Sequence, residues 1–221
     1  MPRIREANAL QCTWRLEHLA YRRGWFRVAG CDEAGRGALL GPLYAAAVIL
    51  DPSQPISGLN DSKKLSPERR SQLEAEIRRK AVSFHIVAVS AKEVDTVNVY
   101  EASRQAMIQA LEGLSPSADY ILTDAMPLRA CGATHLAPHW PLIHGDARSV
   151  SIAAASILAK VARDAHMTQL DRLYPQYHLA QNKGYGTADH IESLRRCGPC
   201  PEHRRTFQPV RSSLLSLFPL F

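Results

Sequence analysis

The chain lacks any apolar run as long as the ~18 to 20 residues that a membrane-spanning helix requires. Its first ten residues, MPRIREANAL, contain neither the long apolar stretch nor the small-residue cleavage site of a secretory signal. The five cysteines are an odd number in a chain of 221 residues and do not indicate a disulfide framework. Internal repeats and low-complexity linkers are also absent. We therefore expect a reduced, soluble, cytoplasmic protein with no membrane partner.

The charge that is present is unevenly distributed. Residues 1–31 carry six arginines and two glutamates, and residues 181–221 carry six basic and three acidic residues. Residues 32–180 carry 15 basic and 16 acidic side chains, in a chain whose net charge is +6. Basic terminal segments on either side of a central segment that carries carboxylates suit a polyanionic substrate such as a nucleic acid. A general contribution of charge to solubility explains the same pattern. Charge alone leaves both interpretations open.

Apolar periodicity predicts an α/β protein. An N-terminal helix that ends near Gly24 is followed by three strand candidates, FRVAGCDEAG, LYAAAVIL and AVSFHIVAVS. Ser66 and Pro67 begin a helix between the second and third strands. After a helix that ends near Gly113 come two further strands, ADYILTDA and PLIHGD, and a long helix that ends at Pro175. The first strands follow one another as a meander, and the later strands are separated by helices. This order favours a mixed sheet flanked by helices.

Three aspartates occupy the ends of predicted strands. Asp32, Asp124 and Asp146 lie at or just beyond an apolar strand, where sites assemble in open α/β sheets. Carboxylates without a cysteine and histidine cluster beside them favour a hard ion such as Mg²⁺ or Mn²⁺. Two such ions, roughly 4 Å apart, would hold both oxygens of an in-line phosphoryl displacement. Ordinary strand-end and helix-start residues explain Asp124 and Asp146 equally well.

A fourth carboxylate, Glu33, follows Asp32 in the segment GCDEAGRG. Neighbouring strand residues point to opposite faces, so both side chains can serve one site only if the chain bends after them. Gly35 and Gly37 permit such a bend. A solvated turn and a site whose substrate approaches the main chain closely both fit this pattern.

Six segments resemble a known family. They are DEAGRG, DSKKLS, TDAM, GDARSVSIAAASILAKVARD, NKGYGT and HRRTFQPV, and they extend over about residues 26–211. In this order they resemble ribonuclease HII, the bacterial type 2 ribonuclease H. The resemblance implies the ribonuclease H-like fold, a mixed central sheet flanked by helices, with a helical C-terminal extension. It implies one catalytic domain over residues 1–221, with an N-terminal helical segment over about 1–25 and the extension over about 175–221.

The resemblance also implies an activity. Members of this family cleave the RNA strand of RNA–DNA hybrids and incise 5′ of single ribonucleotides in duplex DNA, leaving 3′-hydroxyl and 5′-phosphate ends. Such nucleic acids would be the partners, and we expect a monomer. The family's acidic residues fall on Asp32, Glu33, Asp124 and Asp146, which would bind two Mg²⁺ or Mn²⁺ ions that position a water and stabilise the leaving 3′-oxygen.

Substrate-binding residues are implied in the same way. The backbone of Gly35, Arg36 and Gly37 would contact the ribose 2′-hydroxyl at the RNA-to-DNA junction, which only a backbone without bulky side chains can approach. Tyr185 would pack on the sugar after the junction, although a core tyrosine in a glycine-rich turn is the alternative. Phosphate contacts are implied for three lysines, which are otherwise ordinary solvated residues: Lys63, Lys64 and Lys183.

The sequence departs from the usual family pattern at two places. Asp124-Ala125-Met126 stands where many members carry Asp-Gly-Asn, which keeps the carboxylate but changes its neighbours. His178 and Leu179 stand where a glycine and an aromatic residue are frequent. The segment that follows Asp124 is also a few residues longer than in many bacterial relatives. We therefore expect altered geometry around that aspartate.

Two remaining features have plain interpretations. The segment CGPCPEH offers Cys197, Cys200 and His203 as a partial zinc signal, but structural zinc needs four placed ligands, and ordinary thiols are favoured. Further candidate ligands lie at Cys131, His135, His139 and His144. The apolar tail SSLLSLFPLF is expected to dock on its own domain. A site for a sliding-clamp protein in that tail stays open, because nothing specific in it argues for one.

Two functions from other classes remain as alternatives. A non-catalytic hybrid-binding protein is disfavoured, because four carboxylates so close together are costly unless metal ions offset them. A nuclease of the same fold that acts on DNA, such as a junction resolvase or a transposase-type core, is disfavoured by the turn at Gly35, Arg36 and Gly37 and by Tyr185.

Overall fold

A computed structural model describes residues 11–128 and 136–216. Its sheet has five strands, β1 Val28–Ala34, β2 Leu43–Ile49, β3 Ser83–Val89, β4 Tyr120–Asp124 and β5 His139–Leu142. Their order is β3-β2-β1-β4-β5. β2 is antiparallel to both β1 and β3, whereas β4 is parallel to both β1 and β5. This mixed sheet confirms the predicted α/β class.

Eight helices surround the sheet in the described part of the chain. They are α1 Arg15–Tyr21, α2 Pro67–Lys80, α3 Ala91–Val97, α4 Val99–Glu112, α5 Val150–Leu173, α6 Leu179–Asn182, α7 Ala188–Cys197 and α8 Val210–Ser216. Ser66 accepts a hydrogen bond from the Arg69 N–H at the start of α2, as its cap position predicts. In the described ranges, no helix combines the length and apolarity that crossing a bilayer would demand.

The small side chains of β2 allow helices to pack on both of its faces. Ala45 and Ala47 belong to the core under α4, with Met107 of that helix. The alternate residues Ala46 and Val48 belong to the core under α5 and α2. Successive strand residues point to opposite faces, so β2 is fully covered because it carries apolar residues at every position.

Helix α5 lies unusually close to β1 because of a glycine. A Cβ atom added to Gly30 would lie 2.0 Å from the backbone carbonyl carbon of Ser151 in α5. The helix therefore rests directly on the strand backbone at this point. Asp32 is two residues farther along the strand and shares the face of Gly30, so it points towards the start of α5.

Three details differ from the sequence-based expectations. The N-terminal helix ends at Tyr21, before Gly24. β5 ends at Leu142, and Asp146 lies in a short 3-10 turn over residues 145–147 instead of at the strand end. Val82 precedes β3 and is 46 % exposed, because the edge position of that strand leaves part of its apolar pattern uncovered.

Alanine occupies a strained backbone position directly after β4. Ala125 has a φ of 50°, in the left-handed region that favours glycine. His178, the other position where a family glycine is replaced, has a φ of 54°. The two replacements therefore retain a glycine-like backbone, at the cost of steric strain between Cβ and the main chain.

We predict that Ala125→Gly stabilises the protein. Relief of strain outweighs the entropy that glycine adds to the unfolded chain, so we expect a gain of about 0.5 to 1 kcal/mol, and a Tm higher by about 1 to 4 °C. Ala75→Gly, at an exposed position within α2, is the matched control and should destabilise by about 1 kcal/mol. Urea and thermal unfolding measure both. Equal destabilisation by the two substitutions would contradict the strain.

Candidate metal and nucleic-acid site

Three elements bring the predicted aspartates together. Cys31 pairs with Thr123 in the parallel β1–β4 ladder, so the next residues of these strands, Asp32 and Asp124, lie side by side. Asp146 approaches from the turn before α5. Carboxylate oxygens of the three residues all lie within 4.8 Å of one another. Within the described ranges this is the only group of three or more potential metal ligands.

Backbone amides hold two of these carboxylates in place. The Gly145 N–H donates to Asp124 Oδ1 at 2.7 Å, which ties the end of β4 to the turn that carries Asp146. The Glu33 N–H donates to Asp32 Oδ1, also at 2.7 Å. Ser149 caps α5 and donates its backbone N–H to the Gly145 oxygen. Asp32 and Asp124 are thus each fixed by the main chain through one carboxylate oxygen.

Burial and mutual repulsion make the cluster a strong cation acceptor. Burial, Glu33 and Asp124 together raise the pKa of Asp32 well above its usual range. Burial and then Asp124 raise the pKa of Asp146 to about 6. A divalent cation among these oxygens would favour the ionised forms. All donors are carboxylate oxygens, so the residues fit Mg²⁺ or Mn²⁺.

Glu33 lies beside this group but outside it. β1 continues through Ala34 without a break, so Glu33 and Asp32 point to opposite faces, and the chain turns only afterwards. The Glu33 side chain is 12 % exposed, and its Oε1 lies 3.7 Å from Nη1 of Arg36. Burial raises the pKa of Glu33, and Arg36 lowers it. Among the described residues, its buried Oε2 has no hydrogen-bond partner, which suits an oxygen that can ligate a cation.

A buried side chain restricts which residue can occupy the first glycine position of the turn after β1. Gly35 has a φ of 88°, and a Cβ there would lie 2.0 Å from Nε of the buried Arg163. Gly35 is therefore required by the fold itself. A Cβ on Gly37 would meet nothing within 4 Å. This second glycine leaves the backbone open towards the cavity, and no packing inside the described protein requires it.

Two buried arginines fix the carbonyl groups around this turn. Arg163 donates Nε to the Pro42 oxygen at 3.0 Å and Nη2 to the Leu40 oxygen at 3.3 Å. Arg204 donates Nη1 to the Arg36 oxygen at 2.9 Å, and Nε and Nη2 to the Gly41 oxygen. Both guanidinium groups span more than one carbonyl, which a lysine ammonium could not do in the same geometry. The turn is therefore rigid.

Tyr185 stands opposite the turn with its ring partly open to solvent. The residue is 36 % exposed, so it is not a core tyrosine. Its ring centroid lies 5.2 Å from Cζ of Arg163 and 5.8 Å from Nζ of Lys160. The preceding carbonyl, of Gly184, accepts hydrogen bonds from the backbone N–H groups of Leu39 and Leu40. Tyr185 is thereby attached to the segment that follows the glycine turn.

These groups line one cavity of about 470 Å³. Its lining includes Asp32 and Glu33, the turn of residues 35–37, and Tyr185. Lys63 and Lys160 also line it. Carboxylates, an accessible backbone and an aromatic ring therefore face the same space, which is large enough for a sugar and its phosphate.

The three predicted lysines have different surroundings. Lys63 is exposed at the cavity, and although burial lowers its pKa, Asp32 and Asp61 raise it, for a net upward shift. Lys64 is exposed beside it. Lys183 is half-buried, donates Nζ to the Ala180 oxygen at 2.7 Å, and lines a neighbouring groove of about 580 Å³.

Sequence reasoning missed the basic residues behind the site. Lys160 and Arg163 lie three residues apart in α5, directly after a run of small and apolar residues. Two cations at the end of an apolar helical run are an available signal, since buried charges require specific partners. Arg204 gave no comparable signal, because its carbonyl partners lie more than 160 residues away in sequence.

The partial zinc signal does not correspond to a metal site in the described residues. Cys200 and His203 do lie together, with Sγ 3.3 Å from Nδ1, but Cys197 is exposed and stands apart from any group of potential ligands. The Nδ1 of His203 also accepts the Cys200 backbone N–H. Cys131 and His135 lie outside the described residues. His139 uses its Nε2 to accept the Leu128 N–H.

Comparisons with known proteins agree with this geometry. A family model described as Ribonuclease HII matches residues 29–210. The chain is 48 % identical over 217 residues to the ribonuclease HII of Solibacter usitatus, covering 98 % of this chain and 92 % of that protein. It is 51 % identical over 211 residues to the ribonuclease HII of Geobacillus kaustophilus, covering 94 % and 79 %. Among solved structures, the ribonuclease H2 of Pyrococcus horikoshii OT3 superposes with a TM-score of 0.73 at 27 % identity, covering 86 % of this chain and 98 % of that one.

The match extends over most of the chain, and the solved structure shares its sheet and flanking helices. Together they confirm the ribonuclease H-like fold that the six motifs implied, and they set aside the non-catalytic and DNA-nuclease alternatives. The chain belongs to the ribonuclease HII family and is a ribonuclease H, a hydrolase that cleaves the RNA of RNA–DNA hybrids endonucleolytically.

Proposed function

We propose that this enzyme also incises 5′ of single ribonucleotides in duplex DNA, and that it hydrolyses the phosphodiester with two divalent cations. The observation that supports this most is the shared cavity, which is lined by the carboxylates of Asp32 and Glu33, by the backbone at Gly37 and by Tyr185. A single ribonucleotide differs from its neighbours only by one 2′-hydroxyl. Its recognition therefore needs a donor or acceptor very close to the sugar, next to the reacting phosphate.

The aspartates and Glu33 supply the metal ligands in this proposal. Asp32, Asp124 and Asp146 converge within reach of one ion, and the orphaned Oε2 of Glu33 offers a further oxygen at the rim. Bound Mg²⁺ or Mn²⁺ would activate a water and stabilise charge on the leaving 3′-oxygen. Oxygen ligands held by backbone N–H groups need no rearrangement during the reaction, which lowers the cost of transition-state stabilisation.

The glycine turn and Tyr185 orient the substrate. The open backbone at Gly37 can approach the 2′-hydroxyl, and the rigid carbonyl of Arg36, already held by Arg204, keeps that backbone in position. The Tyr185 ring packs on the sugar that follows the junction. A deoxyribose fits against this apolar face better than a ribose, whose extra hydroxyl would lose hydration.

Basic residues position the nucleic-acid backbone. Lys63 lies at the carboxylate side of the cavity, Lys64 is exposed next to it, and Lys183 lies in the adjoining groove. We propose that they contact phosphates at successive positions and carry no sequence information. A monomer that works in the cytoplasm remains our prediction. The sliding-clamp site also remains open, since residues 217–221 of the tail lie outside the described part.

Loss of one metal ligand should abolish cleavage. Asp124→Asn removes a ligand charge from the cluster, and we expect activity with Mg²⁺ or Mn²⁺ to fall by at least about a thousandfold, while hybrid binding in Ca²⁺ persists on the basic surface. Asp32→Asn should behave in the same way. The control is Asp189→Asn, an exposed carboxylate on α7, which should leave rates unchanged. Near-normal rates for either ligand variant would contradict the metal assignment.

The two glycines of the turn should respond differently to an added methyl group. Gly37→Ala places the methyl in open space, so stability should be retained while incision at a single ribonucleotide falls by at least about tenfold. Gly35→Ala collides with Arg163 and strains the backbone, so it should destabilise the fold by about 2 kcal/mol or more. Thermal unfolding and cleavage assays separate the two effects. Normal incision by Gly37→Ala would mean that the substrate does not approach this backbone.

Tyr185→Ala tests the recognition of the junction. We expect incision at an embedded ribonucleotide to fall by at least about tenfold, equivalent to about 1.4 kcal/mol. Cleavage of an all-RNA hybrid should fall less, because that substrate offers many sites. Since the ring is partly exposed, the Tm should change little. Tyr185→Phe keeps the flat ring and should retain most of the activity. If activity fell equally on both substrates and in proportion to the loss of stability, the role of Tyr185 in junction recognition would be refuted.

A further inference from the structure

Two buried histidines lie directly behind Tyr185. His190, in the first turn of α7, is fully buried, and His203 is 1 % exposed. His190 Nδ1 lies 2.9 Å from the backbone oxygen of Tyr185. The Nε2 atoms of the two histidines are 3.2 Å apart, and Nδ1 of His203 lies 3.0 Å from the backbone nitrogen of Cys200. These contacts form one continuous chain from Cys200 to the carbonyl of Tyr185.

The direction of every bond in this chain is determined by its two ends. The Cys200 N–H can only donate, so Nδ1 of His203 accepts and its proton resides on Nε2. That proton is donated to Nε2 of His190, which leaves the His190 proton on Nδ1, directed at the Tyr185 oxygen. Since the carbonyl can only accept, both rings are neutral and each has one fixed tautomer.

The surroundings favour these neutral forms. Burial lowers the pKa of His190, and burial together with His190 lowers the pKa of His203 to about 4. The ring of Tyr177 packs edge-on against His203 with a centroid distance of 4.8 Å, and its hydroxyl donates to the Gly198 oxygen. The histidine pair is therefore enclosed and contacts the site only through the backbone of Tyr185.

The Tyr185 segment needs such support because its backbone is strained. Lys183 and Gly184, immediately before it, have φ values of 52° and 77°. The Gly184 oxygen is held by the N–H groups of Leu39 and Leu40, on the side of the glycine turn. The Tyr185 oxygen accepts one bond from the Thr187 N–H at 2.8 Å, and His190 occupies its second lone pair.

We propose that His190 is a positioning residue for Tyr185, and that His203 assists it by fixing its tautomer. This inference rests on the proposed function of Tyr185, because a ring that touches no substrate would need no such alignment. The two peptide groups that flank Tyr185 are held from opposite sides, by the turn segment and by the histidine pair. Loss of the His190 bond frees one side, and the ring then samples orientations that do not match the sugar.

Amide substitutions separate this role from simple core packing. The side-chain nitrogen of asparagine lies as many bonds from Cα as Nδ1 of histidine, so His190→Asn can still donate to the Tyr185 oxygen. The side-chain oxygen of glutamine lies as many bonds from Cα as Nε2 of histidine, so His190→Gln can still accept the proton of His203 but loses the bond to the Tyr185 oxygen. Both variants remove the ring and leave an amide in the same buried site. A packing role therefore predicts similar losses in the two.

The test measures kcat and KM on a duplex that contains one ribonucleotide. Each His190 variant is assayed twice, once with Tyr185 present and once combined with Tyr185→Ala. We expect His190→Gln to lower kcat/KM by about fivefold, the effect of one lost buried hydrogen bond, and His190→Asn to stay within about twofold of the wild type. In the Tyr185→Ala background, both substitutions should have no further effect. Thermal unfolding of every variant gives the folded fraction.

The outcomes distinguish this inference from the proposed function. If Tyr185→Ala lowers incision but His190→Gln acts equally with and without the tyrosine ring, the positioning role is overturned while the junction role stands. If Tyr185→Ala has no effect, the junction role itself fails. Should His190→Gln not fold, His203→Asn takes its place, because it can still accept the Cys200 N–H but cannot donate to His190. A loss that depends on Tyr185 then supports the proposal, and a loss independent of it refutes it.

Discussion

Mutual repulsion among three aspartates is the constraint on which the rest of the structure depends. Their oxygens lie within 4.8 Å of one another in a partly buried place, where burial and the charge of Asp124 raise the pKa of both Asp32 and Asp146. The chain holds them together by attaching each to a different element, β1, the end of β4 and the turn before α5. Backbone N–H groups then secure two of the carboxylates from behind. Repelling groups on one flexible loop would separate, so the sheet and the turn before α5 are what hold these carboxylates together.

Helix α5 connects this cluster to the proposed substrate-binding surfaces. It starts beside Asp146, rests on the backbone of β1 at Gly30, and carries Lys160 and Arg163, whose cationic groups lie near the ring of Tyr185. A helix of 24 residues is about 36 Å long, so one element extends from the aspartate cluster past Tyr185. In the proposed function, a shift of α5 would displace the carboxylates and the glycine turn together, so the helix would keep the reacting phosphate and the recognised sugar in a fixed relation.

The sequence predicted the main strands and placed three aspartates near strand ends, because apolar runs and cap residues are local signals. β4 does end at Asp124, and Ser66 caps α2, but β1 continues past Asp32 and β5 ends before Asp146. Sequence alone could not decide whether the three aspartates meet in one cluster. The position of Glu33 was less clear, since whether adjacent residues share a site depends on where the strand bends, and β1 continues past both. Arg204 could not be predicted, because its partners are backbone carbonyl groups remote in sequence. The histidine pair could not be predicted either, because its partners are nearby backbone groups and the other buried histidine. Backbone groups are identical at every residue and leave no trace in composition.

In the proposed function, selectivity for a small hydroxyl group places a strict demand on this framework. A backbone can distinguish one 2′-hydroxyl only if it holds its position to within a fraction of a hydrogen-bond length. Arg163 and Arg204 meet this demand by donating to carbonyl oxygens along residues 36–42, and their planar groups reach two or more carbonyls at once. Burial lowers the pKa of Arg204 to about 9, so the group still carries its charge at neutral pH. Arg163 and Arg204 therefore do more than make the turn rigid. The carboxylates of the cavity alone would repel a polyanion, and the two guanidinium groups place positive charge behind them. The residues that fix the backbone thus also make the approach of a phosphate favourable.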